Sequence, residues 1–155
     1  MRRIIGKILE WFLLYPRKVF FISDNCHQLE IRNIYKGDAG YDLYVKGDHL
    51  IRSGEVKDIR TGTYISPKDR IWFSIIGRSS SFNKRGIIVN IAVIDNGYRG
   101  EIFAIARNIS GKDVFIRDGE RICQIVPNFL IPVKFKEGKL LESYRGKRGF
   151  GSTGI

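Results

Sequence analysis

The C-terminal segment, residues 138–155, is rich in glycine and in basic side chains. It contains the sequence RGKRGFGSTG at 145–154, in which glycines leave backbone N–H groups uncovered beside the hydroxyls of Ser152 and Thr153. Such N–H groups, hydroxyls and nearby cations are what a loop that closes over a phosphate requires. The one aromatic ring among them, Phe150, could stack on a base. A flexible basic tail that binds RNA has a similar composition, so this segment alone leaves both interpretations open.

Four further segments with candidate functional side chains precede this arm. They are AGYDL at 39–43, GRSSSFNKRG at 77–86, VIDNGYRGE at 93–101 and GERICQ at 119–124. In the second segment, Arg78 offers a planar fork of donors next to the hydroxyls of Ser79 and Ser80, a combination suited to phosphate oxygens. Structural interpretations remain open, since Arg78 could form a structural salt bridge and both Asp42 and Asp95 stand in turn-forming sequences.

Taken together and in this order, the five segments resemble the five motifs of the homotrimeric dUTPase family. The resemblance covers about residues 38–155. It implies an enzyme that uses Mg²⁺ to hydrolyse dUTP to dUMP and pyrophosphate, which limits uracil incorporation into DNA and supplies dUMP for dTMP synthesis. It also implies a β jelly-roll that assembles as a homotrimer, with active sites at the subunit interfaces.

The reacting groups follow from the same resemblance. Asp42 is similar to the carboxylate that holds Mg²⁺ through its water shell, and magnesium gives up its waters reluctantly. Asp95 resembles the general base that orients and deprotonates a water for attack at the α-phosphorus, opposite the pyrophosphate leaving group. We expect positioning and electrostatic stabilisation of the phosphate charge to provide most of the rate acceleration.

Substrate-binding roles are also implied by the resemblance. Tyr98 is similar to the ring that packs on deoxyribose and excludes a 2′-hydroxyl, and Gln124 to a substrate-contacting amide. Uracil is expected to be bound mainly by backbone groups of a hairpin that carries the third motif, with Asn90 as a candidate contact. Arg121 and Glu120 are expected to support the subunit interface.

The arm of another subunit is expected to complete the site. Its substrate-binding residues would be Arg145, Phe150, Gly151, Ser152 and Thr153, with the arginine on phosphate and the phenyl ring over uracil. Closure of the arm would exclude water other than the nucleophile. Two positions depart from the family pattern, Ala92 where glycine is usual and Arg148 where a small residue is common, and neither removes a catalytic group.

Two alternatives remain. A dCTP deaminase, or a bifunctional deaminase and diphosphatase, shares several of these motifs, but the position of its proton-transferring glutamate is occupied by Ile105, which cannot transfer protons. The other alternative is a basic module that binds nucleic acid or protein, favoured by an excess of 27 basic over 16 acidic side chains. Because no zinc-finger, helix-turn-helix or aromatic RNA-binding pattern is present, we expect no obligate nucleic-acid partner.

The elements that must position these groups are predicted to be β-strands. Short runs rich in β-branched and aromatic residues are separated by Gly, Asp, Asn and Pro, and no long helical period follows Pro16. The predicted strands cover 19–22, 28–34, 71–76, 87–94, 101–106 and 121–126, and the segment 101–106 is expected to be buried on both faces. This pattern predicts an all-β barrel or sandwich over 18–137, in agreement with the jelly-roll, followed by a flexible glycine-rich arm over 138–155.

The composition fits a single domain in a reducing compartment. Hydrophobic residues make up 43% of the 155 residues, enough for a core. The two cysteines, Cys26 and Cys123, lie far apart and show neither metal-ligand spacing nor the density of a disulfide scaffold, which favours the cytoplasm.

Residues 1–17 form an extension that the family does not require. Two charged side chains, Lys7 and Glu10, interrupt the apolar run within residues 1–15, which is also too short to span a bilayer core of about 30 Å. We expect an amphipathic segment packed on protein, with a weak membrane-surface contact as the alternative.

Overall fold

The structure, a computed structural model, describes residues 17–33 and 35–148. Within these residues the chain forms eleven strands and one helix. The strands are β1 (Val19–Ser23), β2 (Tyr41–Leu43), β3 (His49–Ile51), β4 (Val56–Arg60), β5 (Thr63–Pro67), β6 (Ile71–Gly77), β7 (Ile87–Val89), β8 (Ala92–Ile94), β9 (Phe103–Asn108), β10 (Val114–Ile116) and β11 (Cys123–Phe129), and the helix is α1 (Ser79–Arg85). The all-β prediction is therefore confirmed.

The strands pair antiparallel in four sheets. The largest has the order β2-β11-β6-β8, the next has the order β4-β9-β7, and β1-β5 and β10-β3 form two-stranded sheets. In the four-stranded sheet, Gln124 of β11 lies opposite Asp42 of β2 on one side and Ile76 of β6 on the other. Because side chains opposite each other in a sheet project to the same face, this register brings the first and fourth sequence motifs together.

Buried aliphatic side chains form one core between the sheets. Along β6, Ile71, Phe73 and Ile75 are buried and the residues between them are half-buried. In strand β9 the small side chains face the core and a large one faces outward. Ala104 and Ala106 are fully buried, while Phe103 is 39% exposed. The expectation that 101–106 is buried on both faces was therefore wrong, because this strand alternates regularly and turns its small side chains inward.

Two predicted strands differ in the structure. Residues 28–33 contain no strand, because polar side chains replace ladder bonds there: the Gln28 amide donates to the Glu30 carbonyl and accepts the backbone N–H of Tyr44. The predicted strand 87–94 is divided at Asn90 and Ile91 into β7 and β8, which pair with β9 and β6 respectively. The third motif thus lies on a segment that crosses from one sheet to another, and β7 and β8 do not form a hairpin with each other.

Helix α1 was not predicted. It has only seven residues, too few for a helical hydrophobic period to appear in the sequence. It ends at Gly86, whose φ of 63° is left-handed, and a Cβ there would lie 2.8 Å from Cβ of Ser110. Glycine therefore both ends the helix and permits the close approach of the 110 turn.

Residues 130–148 follow the last strand without helix or strand, and their side chains are exposed. The predicted N-terminal segment 1–15 and the arm residues Phe150, Gly151, Ser152 and Thr153 lie outside the described residues. In the described ranges, no helix is long and apolar enough to cross a membrane.

Candidate active site

A cleft of about 450 Å³ brings together residues of the first, second and fourth motifs. Its lining includes Asp42, Arg78, Ser79 and Gln124, and we call it the Asp42 cleft. Strand pairing places Asp42 beside Gln124, and β6 runs directly into Arg78, whose backbone N–H donates to the Ile122 carbonyl at 3.0 Å. The motifs that are far apart in sequence therefore meet on one face of the four-stranded sheet.

Asp42 is held between two arginines. Its Oδ1 lies 3.1 Å from Nε of Arg78 and its Oδ2 lies 3.1 Å from Nη1 of Arg121, and the aspartate side chain is only 13% exposed. Arg121 also packs over the ring of Tyr44, and Arg78 donates to the Arg121 carbonyl at 3.2 Å. The carboxylate thus pairs with two guanidinium groups, of which that of Arg78 lines the cleft, where a planar fork of donors can bind phosphate oxygens.

Gly40 makes room for the Gln124 side chain. A Cβ at Gly40 would lie 2.1 Å from Oε1 and 2.6 Å from Cδ of Gln124. The glutamine amide therefore packs directly over the backbone of the first motif. A side chain at position 40 would force Gln124 to move.

The three serines of the second motif have different environments. Ser79 is exposed and lines the Asp42 cleft, whereas Ser80 is half-buried and is not part of its lining. Ser81 is 3% exposed, and its hydroxyl donates to the Ile122 carbonyl at 3.2 Å. Ser81 therefore anchors α1 to the fourth motif, one residue before β11 begins.

The third motif lies in a different cleft of about 280 Å³, which includes Asp95 and Tyr98 and which we call the Asp95 cleft. Asp95 begins a turn closed by a 3.0 Å bond from the Tyr98 N–H to the Asp95 carbonyl. The Asn96 amide fixes this turn to the start of β6 by donating to the carbonyls of Asp69 and Ile71 at 2.7 and 2.8 Å. Position 96, which sequence reasoning did not single out, therefore holds Asp95 in place.

Three carboxylates line the Asp95 cleft: Asp58, Asp95 and Glu101. Glu101 is 9% exposed, pairs with Arg60 at 2.9 Å and accepts the Gly62 N–H. Among the described residues, Asp58 and Asp95 have no ion-pair partner, and both are exposed. Of the two, only Asp95 lies in the same turn as Tyr98.

Tyr98 folds back over its own turn. Its hydroxyl donates to the Glu101 carbonyl at 2.9 Å, and a Cβ at Gly100 would lie 2.3 Å from that hydroxyl oxygen. The ring is 43% exposed. Gly100 thus allows the ring to lie across the turn and to present one face outward.

Among residues 17–33 and 35–148, none lines both clefts. Ile76 of β6 lines the Asp42 cleft and its neighbour Ile75 lines the Asp95 cleft. Because successive residues of a strand project to opposite faces, the two clefts lie on different sides of β6. One chain therefore does not bring the predicted phosphate-binding groups and the predicted base together.

Several other predicted site residues lie apart from both clefts. Asn90 is exposed between β7 and β8, and its backbone N–H donates to the Ile105 carbonyl at 2.8 Å. Arg145 lies in the exposed segment after the last strand, where its Nε donates to the Arg148 carbonyl at 3.0 Å. Arg121, expected to support the interface, lines neither cleft and pairs with Asp42 within the chain. The order of the motifs alone could not indicate this pairing.

Comparison with known proteins decides the family. The model of the dUTPase family matches residues 30–154 of this chain. The chain belongs to the dUTPase family. Membership confirms the resemblance found in the motifs and the expected enzyme class, a hydrolase of dUTP.

Similar proteins occur in bacteria and viruses. The chain is 39% identical over 123 residues to the deoxyuridine 5′-triphosphate nucleotidohydrolase of Clostridium tetani, which covers 77% of this chain and 85% of that protein. It is 38% identical over 121 residues to the vaccinia virus enzyme, covering 77% and 81%. It is also 35% identical over 121 residues to the Pol polyprotein of an ovine maedi visna related virus, covering 76% of this chain but 11% of the polyprotein.

Solved dUTPase structures share the fold. The dUTPase of Staphylococcus bacteriophage 80alpha with dUPNHPP has a TM-score of 0.82 at 22% identity, covering 90% of this chain and 100% of that one. A mutant dUTPase of S. aureus phage phi11, described with a structural Mg(II) ion, has a TM-score of 0.74 at 18% identity, covering 81% and 99%. This likeness confirms the jelly-roll-like all-β fold of the dUTPase.

The deaminase alternative is not favoured. Ile105, at the position of the deaminase glutamate, lines the Asp95 cleft of this dUTPase. An isoleucine there offers no group for proton transfer to a cytosine amine. The binding-module alternative is likewise not favoured, because the family match includes all five motifs.

Proposed function

We propose that this dUTPase hydrolyses dUTP to dUMP and pyrophosphate in sites that each combine the Asp42 cleft of one subunit with the Asp95 cleft of another. The observation that carries the proposal is the separation of the two clefts on different sides of β6. One cleft holds cations and the other holds a carboxylate next to an aromatic ring. Hydrolysis of a nucleoside triphosphate needs cations that bind the phosphates and a base that activates water. A second copy of the chain can supply the cleft that the first one cannot bring to the same site.

Exposed apolar side chains around the Asp95 cleft support subunit contact there. Ile91 is 71% exposed and Val93 is 62% exposed, and Phe103 adds a partly exposed ring at the cleft. Clustered apolar surface of this kind is typical of protein interfaces. We propose that the assembly is the homotrimer of the family.

The segment after β11 also carries unburied apolar groups. Phe135, Leu140, Leu141 and Tyr144 are each at least 95% exposed in the isolated chain. Burying one such side chain contributes about 1.5–3 kcal/mol, so these groups favour packing of the segment on a neighbouring subunit. This would bring the arm residues Arg145, Phe150, Gly151, Ser152 and Thr153 to a neighbour's site.

In the Asp42 cleft, the chain's own groups would bind the triphosphate. Arg78 provides a donor fork held in position by Asp42, and Ser79 provides a hydroxyl at the start of α1. Gln124 lies beside them with its amide fixed over Gly40. Ser80 would reach phosphate only after a small rearrangement, because it is not in the lining of the isolated chain.

The donor chemistry of Asp42 fits Mg²⁺ held through water. Both carboxylate oxygens are already paired with an arginine, at 3.1 Å each, so a water shell would keep the ion farther from these two positive charges than direct coordination would. A carboxylate has about four acceptor positions, which leaves two for metal-bound waters. Bound there, Mg²⁺ would neutralise phosphate charge and orient the triphosphate.

In the Asp95 cleft, the carboxylate would take a proton from the attacking water, and the new bond would form to the α-phosphorus as the bond to pyrophosphate breaks. The bonds of Asn96 hold the Asp95 turn, so the proposed base would be positioned before substrate binds. Tyr98 would pack on the deoxyribose and leave no room for a 2′-hydroxyl. Uracil would bind to the backbone near Asn90, whose side chain is exposed.

The cellular setting that we propose is the cytoplasm. Both cysteines are free, Cys26 at the surface and Cys123 in the core. Free thiols in both positions are in keeping with a reducing compartment.

The decisive experiment measures pyrophosphate release from dUTP, dCTP, UTP and dTTP with Mg²⁺ and with chelator. We expect release from dUTP only, lost with chelator and reduced by about 10²–10⁴-fold in Asp95→Asn, the range that general-base catalysis contributes. Asp58→Asn is the matched control, since it removes a second exposed carboxylate from the same cleft. Equal loss in both variants, or full activity of Asp95→Asn, would contradict the assignment of the base.

The shared site has its own test. Asp95→Asn and Arg78→Ala are each inactive alone on this proposal, but mixing them by unfolding and refolding together creates sites with both intact clefts. Recovery of activity in the mixture is expected, with each variant refolded alone as the control. Absence of recovery in a mixture that forms trimers would contradict the division of the site between subunits.

A further inference from the structure

Three side chains with metal-binding atoms meet at the surface, away from both clefts. A ligand atom each from Cys26, His27 and Asp118 lies within 4.8 Å of the other two. The histidine and the aspartate are 91 residues apart in sequence and lie 2.8 Å from each other, Nε2 to Oδ2. None of the three lines the Asp42 cleft or the Asp95 cleft.

The turn that carries Cys26 and His27 is fixed by a buried asparagine. Asn25 is 4% exposed, and its amide nitrogen donates to the carbonyls of Tyr44 and Thr61 at 3.0 Å each. Its amide oxygen accepts the backbone N–H of His27, also at 3.0 Å. Cys26 and His27 therefore project from a backbone that is tied to the core.

Contacts with neighbouring residues orient the side chains of His27 and Asp118. The ring of His27 lies so close to Gly119 that a Cβ there would be 3.0 Å from Nε2, and it stacks with the ring of Tyr44 at 6.4 Å between centroids. Asp118 accepts the Gly47 N–H on Oδ1 at 2.6 Å and turns Oδ2 to the histidine. Two of the three ligands are thus held in position without a metal.

We propose that Cys26, His27 and Asp118 bind one Zn²⁺ or a chemically similar divalent transition-metal ion. A thiol, an imidazole and a carboxylate are the ligand types that zinc takes, with a water in the fourth position, and thiolate with imidazole selects against Mg²⁺. Binding replaces the S–H of Cys26 by a sulfur–metal bond and releases that proton to solvent. The thiolate and the carboxylate then balance the two charges of the ion.

The site would join two segments that are distant in sequence. One is the turn at 25–28 after β1, and the other is the turn at 117–120 that leads into β11 through the fourth motif. An ion that binds only the folded chain stabilises it in proportion to the logarithm of its concentration. The ion would therefore stabilise the fold by linking these two turns, apart from the two clefts of the proposed active site.

The test titrates full-length, chelator-treated protein with Co²⁺, which reports a bound thiolate by a charge-transfer absorption. We expect one equivalent to bind with this absorption and Zn²⁺ to displace it. Cys26→Ser should remove the absorption, and His27→Gln and Asp118→Asn should each weaken binding at least by the roughly tenfold that even outer-shell changes cause.

The second histidine and the second cysteine of the chain serve as internal controls. His49→Gln alters the only other histidine, which contacts the Lys46 carbonyl, and it should leave the titration unchanged. Cys123 needs no substitution, because burial raises the pKa of its thiol to about 12 and it remains present in every variant. A signal that survives in Cys26→Ser would come from elsewhere and would overturn the proposal.

Two further outcomes would also overturn it. One is the absence of any thiolate absorption with excess Co²⁺ in protein whose thermal unfolding is cooperative. The other is an equal weakening of binding by His27→Gln and His49→Gln. Thermal unfolding of each apo variant is measured alongside, so a loss of fold is distinguished from a loss of ligand. We expect Zn²⁺ to raise the Tm of wild type and of His49→Gln but not that of Cys26→Ser.

Discussion

The contact between Gly40 and Gln124 can be tested by adding a single methyl group. In Gly40→Ala the new Cβ would lie 2.1 Å from Oε1 and 2.6 Å from Cδ of Gln124, distances that no pair of non-bonded atoms can keep. These atoms belong to the end of a flexible side chain, and the backbone of Gly40 is not left-handed. The side chain of Gln124 will therefore swing away, and the fold will remain.

We expect Gly40→Ala to lower catalytic efficiency and to leave stability almost unchanged. A hydrogen bond to a charged group contributes about 1.5–3 kcal/mol, so losing an amide contact to the substrate should lower kcat/KM by about 10- to 150-fold. The free energy of unfolding should change by no more than about 0.5 kcal/mol, as for other substitutions outside the core. Initial rates of pyrophosphate release and urea unfolding measure the two quantities separately.

A double-mutant cycle makes the reasoning specific. Gln124→Ala should lose about as much kcat/KM as Gly40→Ala, and the double variant should lose no more than either, because the displaced group is already absent. Gly138→Ala is the control, since a Cβ there meets nothing within 4 Å. Additive losses in the double variant, or wild-type rates in Gly40→Ala, would refute the argument.

Three further predictions concern other parts of the chain. Gly100→Ala should displace the Tyr98 ring, whose hydroxyl lies 2.3 Å from the new Cβ, and raise UTP hydrolysis relative to dUTP; unchanged selectivity would contradict the role of that ring. Asn108→Ala should cost about 2–4 kcal/mol in urea unfolding, because this fully buried amide donates to two backbone carbonyls at 2.9 and 2.7 Å and accepts from Ser110. The pKa of Asp24 is lowered from 3.8, first by its bond to Lys46, so this carboxylate stabilises the fold above pH 3.8 and loses that effect as the pH falls through its lower folded value. The difference in Tm between wild type and Asp24→Asn should accordingly shrink below pH 3.8, and a difference that grows there would show the opposite linkage.

Strands with dense β-branched content were predictable, and short ones were not. The segment 71–76 became β6, whose alternation of buried and half-buried residues is supported by pairing on both sides. Three-residue strands such as β2 and β10 lack enough residues to show a period, so only tertiary pairing defines them. The segment 28–34 has the right residue types, but the Gln28 side chain takes over the bonding of the backbone.

The candidate site was predictable as a set of residues but not as a geometry. Asp42, Arg78 and Gln124 meet because of strand register, which the order of motifs does not encode. The pairing of Asp42 with Arg121 and the approach of His27 to Asp118 both join residues that are distant in sequence. For Cys26 and His27 the adjacent residue types were a usable signal, whereas their third partner was visible only after folding.

If each site is shared between subunits as proposed, the position of the two clefts on different sides of β6 makes activity depend on the concentration of the chain. On the proposed arrangement a lone chain carries two incomplete halves, so the working catalyst appears only where chains meet. Its rate per chain should fall on dilution below the dissociation constant of the assembly, whereas the rate per chain of a monomeric enzyme does not change on dilution. A cell that makes little of this protein would therefore hold less than its proportional share of activity, and the expression level itself becomes a threshold for keeping dUTP low.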